Sequence, residues 1–162
     1  MSGGNLSIFA ALTFFDYTAD SVSDSRRMPR ERSITQTVVV SAAPASVYDA
    51  FVNARKHAAF TQSPASGRAR VGAAFTAWGG YISGVHRQLV KDRKIVQDWR
   101  TTEWPEGAPP STLVLTFTRV KGGTKIRMVH SNVPAAQASS YRQGWKDYYW
   151  IPLKAYFSKA KR

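Results

Sequence analysis

Between Gly72 and His130 five short segments follow one another, each apolar or alternating: AAFTAW, YISGVHRQLV, KIVQDWRT, STLVLTFTRV and TKIRMVH. Turn formers separate most of them: Gly79-Gly80, Lys91-Asp92, the PEGAPP loop and Gly122-Gly123. Successive side chains of a strand point to opposite faces, so this period of two, interrupted by short turns, predicts sequential antiparallel strands. In KIVQDWRT, Ile95, Gln97 and Trp99 share one face, with Val96, Asp98 and Arg100 on the other. In STLVLTFTRV, Leu113, Leu115 and Phe117 form the inward row and Thr112, Thr116 and Thr118 the outward one, with Val114 the exception. Such a meander has an apolar face that something else in the chain must cover.

The flanking segments supply the cover. The β-branched run ITQTVVVS (Ile34 to Ser41) predicts a first strand. APASVYDAFVNARKHAAF then predicts a helix with Pro44 in its first turn and Val47, Ala50, Phe51 and Ala54 on one face, broken near Asn53 into a pair that ends before Pro64. Near the C-terminus, YRQGWKDYYWIPLKAYF places Tyr141, Trp145, Tyr148, Tyr149, Pro152 and Tyr156 at spacings of three and four. They share one face of a long helix, opposite Arg142, Lys146, Lys154 and Lys161. A helix lying on a membrane surface would look similar. No other segment is long enough to bury the inward row of the sheet, so the helix is assigned to the core. The expected fold is α+β: a curved antiparallel sheet of about six strands wrapped around a long C-terminal helix, with a small helix pair after the first strand.

Leu or Ile would fill an ordinary core at less polar cost than Tyr and Trp, whose hydroxyl and indole groups need partners when buried. Gly144 and Pro152 cost about 1 and about 3 kcal/mol in a helix interior unless the helix kinks. A kinked aromatic helix over a curved sheet leaves a cavity, for which Trp78, Tyr81, Trp99, Phe117, Met128, His130, Trp145 and Tyr149 are the expected wall and a small hydrophobic molecule the expected occupant. The same residues also serve if they do no more than fill a large core.

A chain of 162 residues that is 43% apolar supports one domain. Residues 34–160 are expected to form it, with 1–33 a flexible extension whose Ser21–Ser33 stretch reads as a linker. The apolar run Leu6 to Phe15 is too short to span a membrane and has no basic residue before it; Met28 is a second candidate start. A cytoplasmic location is expected, with a mitochondrial address if the N-terminal segment is a targeting peptide. Zero cysteines exclude disulfides, thiolate metal sites and a cysteine nucleophile. The net charge of +13 favours an acidic partner, and Arg87, Lys91, Arg93 and Lys94, around one strand turn, form the expected partner surface. Nucleic-acid binding rests on charge alone, because no reader motif accompanies it.

His57, His86 and His130 are not at metal-pair spacing and no carboxylate cluster joins them, so neither a metal nor another cofactor is expected. His130 ends the IRMVH strand and reads as a core histidine satisfied by one hydrogen bond. Asp98 and Glu103 bracket Trp99 and Trp104 without a second acid-base signal, and no catalytic residue is assigned.

Taken in order and spacing, VYDAFVNARKHAAFTQSPA, VGAAFTAWGGYISG, KIVQDWRTTEWPEG, TKIRMVHSNVP and YRQGWKDYYWIPLKAYF resemble the family of activators of heat-shock protein 90 ATPase, in its C-terminal-domain-like branch. That branch belongs to the START-like or birch-pollen-allergen superfamily, and the resemblance runs from about Ile34 to Phe157. It implies a helix-grip fold with a cavity between sheet and C-terminal helix. It also implies a non-enzymatic, co-chaperone-like role with heat-shock protein 90 as partner; the alternative is a carrier or sensor of a small hydrophobic ligand.

Overall fold

The β-branched and alternating segments become strands, and a computed structural model describes them within residues 31–160. Residues 1–30 and 161–162 lie outside the described residues, and with them the Leu6–Phe15 segment, Met28 and Lys161. Strand β1 (Glu31–Val40) is followed by helices α1 (Pro44–Val52) and α2 (Ala54–Thr61). Strands β2 (Ser66–Gly67), β3 (Ala74–Ala77), β4 (Ile82–Val90), β5 (Lys94–Thr101), β6 (Ser111–Val120) and β7 (Gly123–Pro134) come next. The chain ends in α3 (Ala135–Trp145), a π-helical turn (Lys146–Trp150) and α4 (Ile151–Lys159).

The strands form one antiparallel sheet in the order β1-β7-β6-β5-β4-β3-β2. Seven strands rather than about six arise because β2, two residues that pair with Phe75 and Thr76, is too short to leave a periodic signal. β1 starts three residues before the predicted Ile34, since Glu31 and Arg32 pair with Pro134 and Val133 across a bulge. The helix pair breaks where expected: Pro44 starts α1, and the Asn53 side chain accepts the Lys56 backbone N–H to cap α2.

The inward rows read from the sequence are the core. Ile95, Trp99, Leu113, Leu115, Phe117, Ile126 and Met128 are buried, beneath Tyr141, Trp145 and Tyr149 of the C-terminal helix and Phe51 of α1. α3 crosses β1 and β7, while α4 packs on β1 and α2.

The helix face itself requires a correction. Tyr148, Pro152 and Tyr156 are half-buried, whereas Trp150, Leu153 and Phe157 are buried with Trp145 and Tyr149. In the π turn the Ile151 N–H reaches the Lys146 carbonyl five residues back. Pro152 has no N–H and its ring crowds the carbonyl four residues before it, so the chain widens by one residue ahead of it. That extra residue rotates everything downstream, and adjacent residues Tyr149 and Trp150 both face the core.

Gly84 of β4 is fixed by close approach. A Cβ there would lie 1.9 Å from the Asp98 carbonyl oxygen and 2.7 Å from the Phe75 ring. Gly84→Ala should therefore cost roughly 3 kcal/mol, the upper end of overpacking losses. An unchanged urea midpoint would show that β4 and β5 separate freely at this point.

Candidate functional site

Five strands contribute one line across the inner face, His86, Gln97, Leu113, His130 and Ile34, each directly opposite the next. Three of the five are polar and all are buried. At His130 the Trp145 indole N–H donates to Nδ1 at 3.2 Å, and Nε2 lies 2.7 Å from the Ser111 hydroxyl, itself 2.6 Å from the Trp99 carbonyl. An indole can only donate, so Nδ1 is bare and the neutral ring carries its hydrogen on Nε2. Nε2–H then donates to Ser111 and Ser111 donates to the carbonyl. Every hydrogen-bonding atom of the ring is used, which makes His130 a structural residue. Burial lowers its pKa to about 3, and Trp99 stands edge-on to it at 4.6 Å.

A second set of partners orients His57, among the rings of Phe51, Phe60 and Tyr149. Its Nδ1 lies 3.3 Å from the Phe51 carbonyl and its Nε2 3.2 Å from the Tyr149 hydroxyl. The carbonyl only accepts, so Nδ1 carries the hydrogen and Tyr149 donates to Nε2. Burial lowers the His57 pKa to about 4 and raises that of Tyr149. In a third set the Trp104 indole donates to the Tyr141 hydroxyl at 2.8 Å, which also pairs with Thr101 at 2.7 Å.

Between the first two sets lies a cavity of about 30 Å³, bounded by Phe51, His57, Phe75, His86, Gln97, Trp99, Leu113, Trp145 and Tyr149 among others. That is room for about one water, against the roughly 300–1,000 Å³ of pockets that hold organic ligands. Gln97 lies 3.3 Å from His86 Nδ1 at its polar wall, and burial lowers the His86 pKa.

Of the expected wall, Trp99, Trp145 and Tyr149 line this cavity. Trp78 and Tyr81 are half-buried beyond it. Trp78 stands edge-on to Tyr148 and Tyr149, and the Tyr81 hydroxyl donates to Glu103 at 2.6 Å. Phe117 packs on Tyr48 and Phe51, Met128 is fully enclosed, and His130 is taken up by its own partners. His57 and His86 join the wall through long-range pairing that no local pattern reports. Gln97 did leave a signal, as a polar side chain in the inward row of β5.

The basic surface is also redistributed. Arg87 is held by Asp98 of β5, so its charge is paired. Lys91 and Arg93 are exposed in the β4–β5 turn, where Asp92 takes a left-handed conformation. Lys94 follows, opposite Thr116, which is opposite Arg127. Arg127 thus joins the expected patch from two strands away, on the outer sheet face. Among the described residues no three His, Asp or Glu side chains are grouped to hold a metal.

With this geometry in view, the comparisons with known proteins are consistent. A family model described as Activator of Hsp90 ATPase homolog 1-like protein matches residues 41–158. The human Activator of 90 kDa heat shock protein ATPase homolog 1 is 35% identical over 119 residues, covering 74% of this chain and 35% of the human protein. The Dictyostelium discoideum homologue is 30% identical over 138 residues, covering 83% of this chain and 36% of its own length. The chain thus spans about a third of the length of these curated relatives. The crystal structure of an HSP90 activator from Plasmodium falciparum superposes with a TM-score of 0.70 at 25% identity, covering 79% of this chain and 96% of that one. Fold and sequence agree, and the chain belongs to the Activator of Hsp90 ATPase homolog 1-like protein family.

Proposed function

We propose that the chain is a non-enzymatic, co-chaperone-like protein that binds heat-shock protein 90 and modulates its ATPase. The observation that carries this reading is the 35% identity, over 119 residues, to a protein named as an activator of that ATPase. The basic surface supports it. Lys91, Arg93, Lys94 and Arg127 offer cations to an acidic partner, and the formal charge of +13 raises the encounter rate.

The test is the chaperone's ATPase rate with and without the full chain at two salt concentrations. Stimulation is expected at low salt and should fall several-fold as the Debye length shrinks from about 10 Å at 0.1 M toward about 3 Å at 1 M. Reversing Lys91 and Arg93 together to Glu should lower it further. An unchanged rate at stoichiometric excess in low salt rejects the reading.

A further inference from the structure

The C-terminal helix carries two apolar stripes where the core needs one. At roughly 100° per residue, Trp150, Leu153 and Phe157 point one way and Ile151, Pro152 and Ala155 roughly the opposite way. The first set packs inward; Ile151 is 60% exposed, the most exposed large apolar side chain among the described residues. The π turn produces this phase, and single π turns inside helices occur frequently at functional sites.

The second stripe forms one wall of a groove of about 350 Å³. Ala59, Phe60 and Gln62 at the end of α2 form the other wall. Lys159 lies at one end, and Arg55, one turn before Ala59, is exposed on the same face of α2. Lys56 is held by Asp49, and among the described residues no carboxylate lines the groove. Thus, among the described residues, the charged groups beside this largely apolar trough are cations.

We propose that this groove receives an acidic amphipathic helix of a partner protein, apolar residues at i, i+3 or i+4 and i+7 seating on the Ile151 stripe and flanking carboxylates meeting Arg55 and Lys159. It rests on the chaperone-binding reading only for the partner's identity. The shape and the charge pattern define the chemistry independently.

The probe is a fluorescein-labelled synthetic helix with Leu at i, i+4 and i+7 and Glu elsewhere, titrated with the full chain and followed by anisotropy. A twin with Lys in place of Glu is the control. The Glu peptide should bind, and Ile151→Glu or Ala155→Glu should each weaken it about tenfold with an unchanged melting temperature. Arg93→Glu, on the other surface, should leave binding within about twofold, and the Lys twin should not bind. Equal affinity for both peptides, or indifference to both groove variants, overturns the proposal. So does a dimer in sedimentation that Ile151→Glu converts to monomer, because the groove is then covered by a second copy. Peptide capture without ATPase stimulation keeps the groove and rejects the chaperone reading; stimulation without capture does the reverse.

Discussion

Truncating Trp145 to alanine should cost about 4 kcal/mol or more and leave little folded protein at moderate urea. Two losses combine. Removing a fully buried indole from contact with Trp99, Tyr149 and Trp150 carries the roughly 3–5 kcal/mol typical of Trp→Ala in a core. It also strips His130 Nδ1 of the indole N–H that donates to it, a loss of about 1–3 kcal/mol for a buried unpaired group. Trp145→Phe separates the two, because it keeps much of the volume and removes the N–H; it should fall at about half the alanine loss. If Phe and wild type share a urea midpoint, the chain of hydrogen bonds from Trp145 through His130 and Ser111 to Trp99 contributes nothing.

Acid should unfold the protein earlier than its few carboxylates would suggest. His130 and His57 have folded pKa values of about 3 and about 4, against 6.5 for an unperturbed histidine, in both cases because burial disfavours the charged ring. Below pH 6.5 the unfolded chain takes up protons that the folded chain refuses, so the stabilisation from the neutral rings is complete above 6.5. It is lost progressively as pH falls toward about 4 for His57 and about 3 for His130. The slope is at most about 1.4 kcal/mol per pH unit for each group. Urea midpoints at pH 7, 6 and 5 measure it. His130→Gln, which can still accept from Trp145 and donate to Ser111, should be less stable at pH 7 but have a slope about 1.4 kcal/mol per unit shallower near pH 5. Equal slopes for variant and wild type would mean that His130 titrates normally in the folded state.

Each part of the site left a trace of different strength in the chain. Ile95, Gln97 and Trp99 alternate with Val96, Asp98 and Arg100, and the observed burial follows that alternation residue by residue. Asn53 and Pro44 marked their helix ends because capping and ring constraint act within one turn. Helical spacing puts Tyr148, Pro152 and Tyr156 on the inner face, whereas Trp150, Leu153 and Phe157 occupy it. A constant helical period cannot contain the one-residue slip that Pro152 induces. His57 falls in the predicted helix pair, and its contact with Tyr149, 92 positions away, exists only in the folded chain. The aromatic face of the helix does not specify a cavity volume, since a void is what remains after packing and one or two side-chain placements close it.

From the amino-acid order alone came the strand meander, the broken helix pair, the aromatic closing helix, the basic surface and the family. The elements rest on interactions within a turn or on alternation along one strand, which neighbouring residues specify directly; the basic surface comes from composition and the family from the resemblance of its motifs. Tertiary structure decided which aromatics meet, how His130 is satisfied, that Arg127 joins Lys94, that the inner cavity has room for only about one water and that Ile151 faces a groove. Those outcomes depend on interior packing so close that a shift of a single residue along one helix redirects every side chain beyond it.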